Sequence, residues 1–230
     1  MKSPKSKKED PPRAVVFDLD GVLVGSEALW DRARRAVVAD AGGAWRDGAT
    51  RDMLGMSSTE WSRYVHERLG VAAPPEEIVR RVLARLLDEY RRSLPLLPGA
   101  VTAVETLGSH WPLGLATSSN REVIDEVLAL AGLGGRFAVT VTSEDVARGK
   151  PAPDVYLAAT GALGVDPGTA VAIEDSTNGL KAAAAAGMRV IAVPNREFPP
   201  DPGALALAGA VVPTLESLTP DVVASVRPPG

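Results

Sequence analysis

The chain has 230 residues, 45% hydrophobic and 23% charged, which is typical of a folded globular protein and excludes a disordered, collagen-like or coiled-coil chain. It has no cysteine, which excludes disulfides and thiol nucleophiles, and its net charge of −4 argues against generic nucleic-acid binding. We find no apolar run of membrane-spanning length and no secretory signal, so we expect a cytoplasmic protein without a membrane or nucleic-acid partner, and a monomer by default.

The chain begins with a polar segment and a first strand. Residues 1–12 contain four lysines and three prolines without an apolar pattern, so we interpret them as a solvated, disordered tail. Residues 14–17 are a short apolar run rich in β-branched side chains, which predicts a buried strand. The strand leads directly into Asp18-Leu19-Asp20-Gly21, where turn chemistry begins.

Helical spacing of apolar residues then dominates residues 27–95, and no strand pattern interrupts it. Pro74-Pro75 followed by Glu76-Glu77 is typical of a helix start. We therefore predict an all-helical cap over residues 27–95, closed by a Pro/Gly linker. Aromatic side chains at helical spacing are expected to pack in its interior rather than line a sugar pocket: Trp30, Trp45, Trp61 and Tyr64.

Strands and helices alternate in the rest of the chain. The predicted strands are residues 113–116, 139–141, 170–173, 190–193 and, as a short last one, 211–212. The predicted helices between them are residues 121–130, 154–163 and 180–186. This alternation predicts an α/β fold, a doubly wound, Rossmann-like parallel sheet. Its core would comprise residues 13–26 and 96–230, with the helical cap inserted after the first strand.

Polar side chains follow several predicted strands, at the edge where ligands of open parallel sheets bind. Alternate residues of an extended segment point to one face, which would place Asp18 and Asp20 together. Carboxylates so placed repel one another unless a cation joins them, and oxygen-only ligands favour Mg²⁺. The other side chains expected at this edge are Thr117, Ser118, Ser119, Lys150, Glu174 and Asp175.

Each of these motifs also has an ordinary structural interpretation. Asp-x-Asp-Gly is a common turn sequence, and Glu174-Asp175 would suit the N-terminus of the following helix. Thr117 or Ser119 would serve as a helix cap, and a lone Lys150 is most often a solvated surface charge. Their joint occurrence at the strand ends of an alternating fold favours one common site.

Four segments resemble, in order, the signature motifs of the haloacid dehalogenase-like phosphohydrolase superfamily. They are residues 17–24 (FDLDGVLV), 117–120 (TSSN), 149–154 (GKPAPD) and 173–179 (IEDSTNG). The resemblance runs from about residue 14 to residue 193. The inserted helical region is similar to the cap of the β-phosphoglucomutase and sugar-phosphatase branch. Residues 26–33 (SEALWDRA) look most like bacterial hexitol and 2-deoxyglucose-6-phosphate phosphatases.

The resemblance implies a Mg²⁺-dependent phosphatase of small phosphate monoesters, sugar or polyol phosphates, that works through an aspartyl-phosphate. Asp18 would be the nucleophile, and Asp20 the general acid and then the general base. The implied Mg²⁺ ligands are Asp18, the Asp20 backbone carbonyl, Asp175 and, directly or through water, Glu174. The implied phosphate-binding groups are the Thr117 side chain, the Ser118 backbone N–H and Lys150.

Two positions depart from that branch and bear on alternatives to hydrolysis. Gly25 stands where the branch usually has Asp, and Trp30 stands where the mutases have a histidine. A phosphosugar mutase is the nearest alternative, and Trp30 argues against it because an indole N–H only donates. A non-catalytic phospho-acceptor of the receiver type is a further alternative. Asp18 and Asp20 on one strand, and the helical insertion, favour turnover over phosphate storage.

Overall fold

The computed structural model describes residues 10–227, which contain six β-strands and ten α-helices. The strands are β1 (Ala14–Phe17), β2 (Leu113–Thr117), β3 (Val139–Thr142), β4 (Ala170–Glu174), β5 (Arg189–Ala192) and β6 (Ala210–Val211). The helices are α1 (Glu27–Asp40), α2 (Ala49–Asp52), α3 (Ser58–Leu69), α4 (Pro75–Arg92), α5 (Ala100–Gly108), α6 (Arg121–Leu130), α7 (Asp154–Ala162), α8 (Thr177–Ala185), α9 (Pro202–Leu205) and α10 (Pro220–Ser225).

All six strands form one parallel sheet, in the order β3-β2-β1-β4-β5-β6. The chain builds outward from β1 to β3 and then returns to place β4 on the other side of β1. Such a reversal of strand order opens a crevice at the carboxyl ends of the central strands. The predicted α/β, doubly wound parallel fold is confirmed, and all of its predicted strands are present within about one residue of their expected ends.

The sheet is covered on both faces, and the side chains of β1 show how. Val15 and Phe17 belong to the apolar cluster that includes the helical insertion, α5 and α6. Ala14 and Val16 belong to the opposite cluster, which contains residues of α7 and α8. Successive strand residues point to opposite faces, so a strand buried on both sides is apolar throughout. This explains the uninterrupted apolar run that identified β1 in the sequence.

Residues 27–95 contain four helices, α1 to α4, between β1 and β2. Helices α1 and α3 both pack against α4, whose buried face carries Ile78, Val82, Leu83, Leu86, Leu87 and Tyr90. The two segments that connect this helical region to the sheet run side by side. Gly25 N donates to the Pro95 carbonyl at 2.8 Å, and Leu97 N donates to the Leu23 carbonyl at 2.9 Å.

The first nine residues of the predicted tail lie outside the described residues. Of the remainder, the Asp10 carbonyl accepts a hydrogen bond from Arg189, and the Pro12 carbonyl accepts one from Trp111 Nε1 at 3.0 Å. Residues 10 and 12, which were assigned to the tail, therefore contact the sheet domain. Within residues 10–227, the helices are too short or too polar for any of them to cross a membrane.

Candidate active site

Three carboxylates meet where β1 and β4 end. The two strands pair in parallel with Phe17 opposite Ile173, so the residues that follow them emerge side by side. Each of Asp18, Glu174 and Asp175 places a carboxylate oxygen within 4.8 Å of the others, and all three residues are buried. The predicted convergence of these acids at one sheet edge is thus what the structure shows.

Lys150 joins two of these acids from the loop that follows β3. Its Nζ donates to Asp18 Oδ1 at 2.8 Å and to Glu174 Oε1 at 2.6 Å. Burial alone would lower the pKa of Lys150, but the carboxylates of Asp18 and Glu174 raise it above its ordinary value. Lys150 is therefore a buried, charged side chain and not the solvated surface lysine of the alternative interpretation.

Glu174 is the most completely hydrogen-bonded member of the cluster. Its Oε1 also accepts the Tyr156 hydroxyl at 2.8 Å, and its Oε2 accepts the backbone N–H groups of Asp175 and Ser176. Gly179 in α8 packs directly on this carboxylate, and a Cβ there would collide with it. Tyr156 was not recognised from the sequence, because it lies inside the pattern of α7. Glu174 therefore fixes Lys150 and the loop after β4 in place.

Asp175 differs from Glu174 in the hydrogen bonding of its two carboxylate oxygens. Among the described residues, Oδ1 of Asp175 is buried without a hydrogen bond. Oδ2 lies against Gly21, where a Cβ would collide with it and where φ is +80°. The glycine of the Asp-x-Asp-Gly turn is thus required for two reasons, its left-handed backbone and the close approach of a carboxylate.

The electrostatics of the cluster are set by burial and by crowding of like charges. Burial raises the pKa of Asp18 to about 8, Lys150 opposes this effect, and Glu174 and Asp20 add to it. Burial and the neighbouring Glu174 and Asp18 raise the pKa of Asp175 well above its usual range. Positive charge beside a carboxylate favours its ionised form, so this pair of acids is suited to binding a cation.

The carboxylate of Asp20 is held by donors from two parts of the molecule. Ser26 Oγ donates to Oδ1 at 2.5 Å, and Trp30 Nε1 donates to the same oxygen at 3.1 Å. Ser119 Oγ, just beyond β2, donates to Oδ2 at 2.5 Å, and Thr117 Oγ1 lies 3.5 Å from that oxygen. Asp20 lines the same cavity as Asp18. Its hydrogen bonds with Ser26, Trp30 and Ser119 were not predicted from the sequence.

A cavity of about 590 Å³ lies over these groups, between the sheet edge and the helical insertion. The sequence-predicted residues that line it are Asp18, Asp20, Thr117, Ser118, Ser119, Lys150 and Asp175. Glu174 does not line the cavity and lies behind Lys150. From the insertion, Trp30 and Trp61 are buried as expected for interior residues, yet both also line the cavity. Glu27 and Arg34 line it as well, and the sequence pattern did not single them out.

Residues 12–187 match the model of haloacid dehalogenase-like hydrolases. The chain is 38% identical to hexitol phosphatase B of Escherichia coli (strain K12) over 209 residues, which is 90% of this chain and 94% of the relative. It is 34% identical to a phosphorylated carbohydrates phosphatase of Thermotoga maritima over 179 residues, which is 77% of this chain and 83% of that protein.

Among solved structures, CbbY from Rhodobacter sphaeroides in complex with phosphate superposes with a TM-score of 0.80 at 28% identity. The match covers 90% of this chain and 96% of that structure. The fold, the family match and the phosphatase relatives agree with the resemblance carried by the four sequence motifs. The chain belongs to the haloacid dehalogenase-like hydrolases.

Proposed function

We propose that this protein is a Mg²⁺-dependent phosphatase of small sugar or polyol phosphates that works through a phosphorylated Asp18. The observation that carries the proposal is the arrangement at the cavity floor. There Asp18 is held by Lys150 at 2.8 Å, beside an Asp175 oxygen that has no partner among the described residues. The names of the two phosphatase relatives support the choice of a sugar or polyol phosphate.

The residues present fit a hard divalent cation. The donor set consists of carboxylate oxygens without sulfur or imidazole, which suits Mg²⁺. Asp18, the backbone carbonyl of Asp20 and Asp175 would hold the ion, which would neutralise phosphate charge. Glu174 would contribute indirectly, because both of its oxygens already accept hydrogen bonds.

The chain's own residues would then divide the reaction into two displacements. A carboxylate oxygen of Asp18 attacks phosphorus, the bond from phosphorus to the ester oxygen breaks, and Asp20 gives that oxygen a proton. In the second step Asp20 takes a proton from water, whose oxygen attacks phosphorus and frees Asp18. Lys150, Thr117 and the Ser118 backbone N–H would hold the non-bridging phosphate oxygens, so that positioning and charge neutralisation lower the barrier.

Hydrolysis is favoured over sugar-phosphate isomerisation by the contact of Trp30 with Asp20. The indole N–H donates to Oδ1 and cannot accept a proton in return, so it orients Asp20 without taking part in proton relay. A mutase has to delay water until its sugar intermediate has turned over. The test is to measure phosphate release and isomer conversion from β-glucose 1-phosphate, with and without glucose 1,6-bisphosphate. Conversion faster than release would replace the phosphatase with the mutase.

The metal requirement is tested with purified protein and sorbitol 6-phosphate. Phosphate release should vanish in EDTA and return with Mg²⁺, while full activity in chelator would overturn the proposal. Asp175→Asn should raise the Mg²⁺ concentration needed for half-maximal activity by at least about tenfold, because a charged ligand is lost. Asp125→Asn, which changes an exposed carboxylate on α6, is the control and should leave that concentration unchanged.

A further inference from the structure

Arg34 of α1 is a buried cation without a hydrogen-bond or ion-pair partner in the described part of the chain. Only 7% of its surface is exposed, and it lines the cavity. Its guanidinium carbon lies 5.0 Å from the ring centroids of both Trp30 and Trp61. Within residues 10–227 its Nε is buried without a hydrogen bond, and the guanidinium forms no ion pair.

Burying a guanidinium without a hydrogen-bond partner destabilises the folded protein unless a ligand provides an acceptor. A buried donor without a partner costs about 1–3 kcal/mol, and more when the group is charged. Burial lowers the pKa of Arg34 to about 10, so the side chain still carries its charge at neutral pH. The two indole rings stabilise the cation through its faces. Its in-plane N–H groups have no acceptor within residues 10–227, and Arg34 lines the cavity in which a ligand would supply one.

Glu27 is the carboxylate whose charge most strongly opposes the effect of burial on the pKa of Arg34. Glu27, Trp30 and Arg34 are spaced i, i+3 and i+7, which places them on one face of α1. Glu27 also lines the cavity and has no hydrogen-bond partner among the described residues. Burial raises the pKa of Glu27 to about 7, with a further contribution from Asp20. The cap thus presents one donor group and one acceptor group on either side of Trp30.

We propose that Arg34 and Glu27 bind neighbouring hydroxyls of the substrate's leaving group and so select a neutral, polyhydroxylated phosphate monoester. This inference rests on the proposed phosphatase function. A hydroxyl oxygen accepts from Arg34, and a hydroxyl hydrogen is donated to Glu27. Arg34 stacks on the ring of Trp30, and the indole N–H of Trp30 donates to Asp20, the proposed general acid. Arg34 and Glu27 therefore lie on the leaving-group side of the cavity.

The charge of the cavity argues against a second anionic group on the substrate. Within the described residues, seven carboxylates and three basic side chains line the cavity. A carboxylate or second phosphate reaching Arg34 would also approach Glu27 and be repelled by it. A diol meets no such repulsion, because each of its hydroxyls both donates and accepts.

The inference is tested by comparing substrates that share a phosphate ester and differ in the leaving group. They are sorbitol 6-phosphate, 6-phosphogluconate, which adds a distal carboxylate, and 4-nitrophenyl phosphate, which has no hydroxyls. Arg34→Met should lower kcat/KM for sorbitol 6-phosphate about 10- to 100-fold, as expected for a lost charged hydrogen bond. The rate with 4-nitrophenyl phosphate should change less than about threefold. Arg35→Met, which alters an exposed neighbour that pairs with Asp31, is the matched control and should change neither.

Three results would overturn the inference. Equal losses on sorbitol 6-phosphate and 4-nitrophenyl phosphate would make Arg34 merely structural. Preference of the unaltered protein for 6-phosphogluconate, lost in Arg34→Met, would make it an anion site. If Arg34→Met does not fold, Glu27→Gln and Arg34→Lys are tested instead. A preference for sorbitol 6-phosphate over 4-nitrophenyl phosphate that these variants retain would also refute the inference. Absence of phosphate release from every ester would instead refute the phosphatase function itself.

Discussion

The cavity has a sheet side, formed around Asp18, Lys150 and Asp175, and a cap side, formed around Glu27, Trp30 and Arg34. Buried charges are paired differently on the two sides. On the sheet side, Lys150 pairs with two carboxylates, and Glu174 accepts hydrogen bonds at both oxygens. On the cap side, Arg34 is equally buried, but within residues 10–227 its guanidinium contacts indole faces and forms no hydrogen bond or ion pair. On the sheet side most polar atoms are therefore paired before a substrate arrives, and Asp175 Oδ1 is the exception among the described residues. On the cap side the donors of Arg34 and the acceptors of Glu27 are still to be used.

This difference teaches where chemistry and selectivity reside. The hydrogen bonds among Lys150, Asp18 and Glu174 hold their charges in fixed positions, and preorganised charges stabilise phosphoryl transfer. Unpaired groups on a separate helical layer instead gain hydrogen bonds only when a suitable leaving group is present. If this division is correct, changes on the sheet side should affect every phosphate ester, and changes on the cap side should depend on the alcohol.

The largest expected effect is that of Asp18→Asn. The variant keeps the size of the side chain but removes the nucleophile, so phosphate release should fall to background with alkyl and aryl esters alike. Colorimetric phosphate assays on both ester types provide the measurement. Asp40→Asn, at an exposed carboxylate that pairs with Arg85, is the control and should retain activity. Substantial turnover by Asp18→Asn would refute a phosphorylated Asp18.

A smaller and substrate-dependent loss is expected from Asp20→Asn. Without a general acid, kcat for sorbitol 6-phosphate should fall about 10²- to 10⁴-fold. The loss should be clearly smaller for 4-nitrophenyl phosphate, because its leaving group needs little protonation. Steady-state kinetics on the two esters decide the point. Equal losses on both would mean that Asp20 supports the geometry of the site rather than proton transfer to the leaving group.

The sheet side could be predicted from the sequence, because its residues directly follow strands. Strand ends are visible as the limits of apolar runs, and parallel pairing brings them to one edge. Contacts made by residues inside helices could not be predicted in this way, because the role of Tyr156 in α7 depends on which face of that helix packs on the sheet. Helix α5 was missed as well, although its buried positions Ala100, Ala103, Val104 and Leu107 follow a helical spacing, because the preceding Pro98-Gly99 was interpreted only as a linker.

The cap side escaped prediction for a different physical reason. Trp30 and Trp61 were correctly expected to be buried, but burial against the interior and burial beside a cavity give the same sequence pattern. Arg34 resembles any other arginine on an amphipathic helix until α1 and α3 are docked together.

The start of α8 was predicted three residues too late, at residue 180, for a local reason. Asn178-Gly179 is a turn signal, but here it lies in the first turn of the helix, which Ser176 caps.

The third prediction concerns the cost of Glu27 on the cap side. Its pKa is raised from the usual 4.5 to about 7 in the folded protein, chiefly by burial. The folded state therefore binds the proton more tightly than the unfolded chain between these values. The free energy of unfolding should fall as pH rises through this window. Glu27→Gln removes this titratable group. The free energy of unfolding of the variant, relative to that of the unaltered protein, should therefore increase by on the order of 2 kcal/mol from pH 4.5 to pH 8.

Urea unfolding of both proteins across that pH range measures the effect. The exposed Glu67→Gln on α3 controls for the general consequence of losing one carboxylate. Parallel pH profiles for Glu27→Gln and the unaltered protein would contradict the burial of an ionisable Glu27. If Glu27→Gln becomes more stable and also loses its preference for polyol phosphates, the same carboxylate destabilises the folded protein and recognises the substrate.

The smallest effect is expected where cap and sheet meet at the surface. Arg91 of α4 donates to both carboxylate oxygens of Glu126 in α6, at 3.0 and 2.9 Å, but both side chains retain solvent contact. Exposed ion pairs contribute about 0–1 kcal/mol, so Arg91→Gln and Glu126→Gln should each change kcat/KM less than about threefold. A double-mutant cycle should give a coupling energy below about 1 kcal/mol.

The buried contact between the same two layers provides the comparison. Ser58 at the start of α3 donates to Asn120 Oδ1, and both residues are buried. Ser58→Ala leaves that acceptor unsatisfied, at a cost of about 1–3 kcal/mol, so it should weaken the docking of cap on sheet more than either exposed variant. Hydrogen exchange of α3 and α6 reports the docking directly. If removal of the Arg91–Glu126 pair increased exchange more than Ser58→Ala, surface charge rather than buried polar contact would hold the two sides of the cavity together.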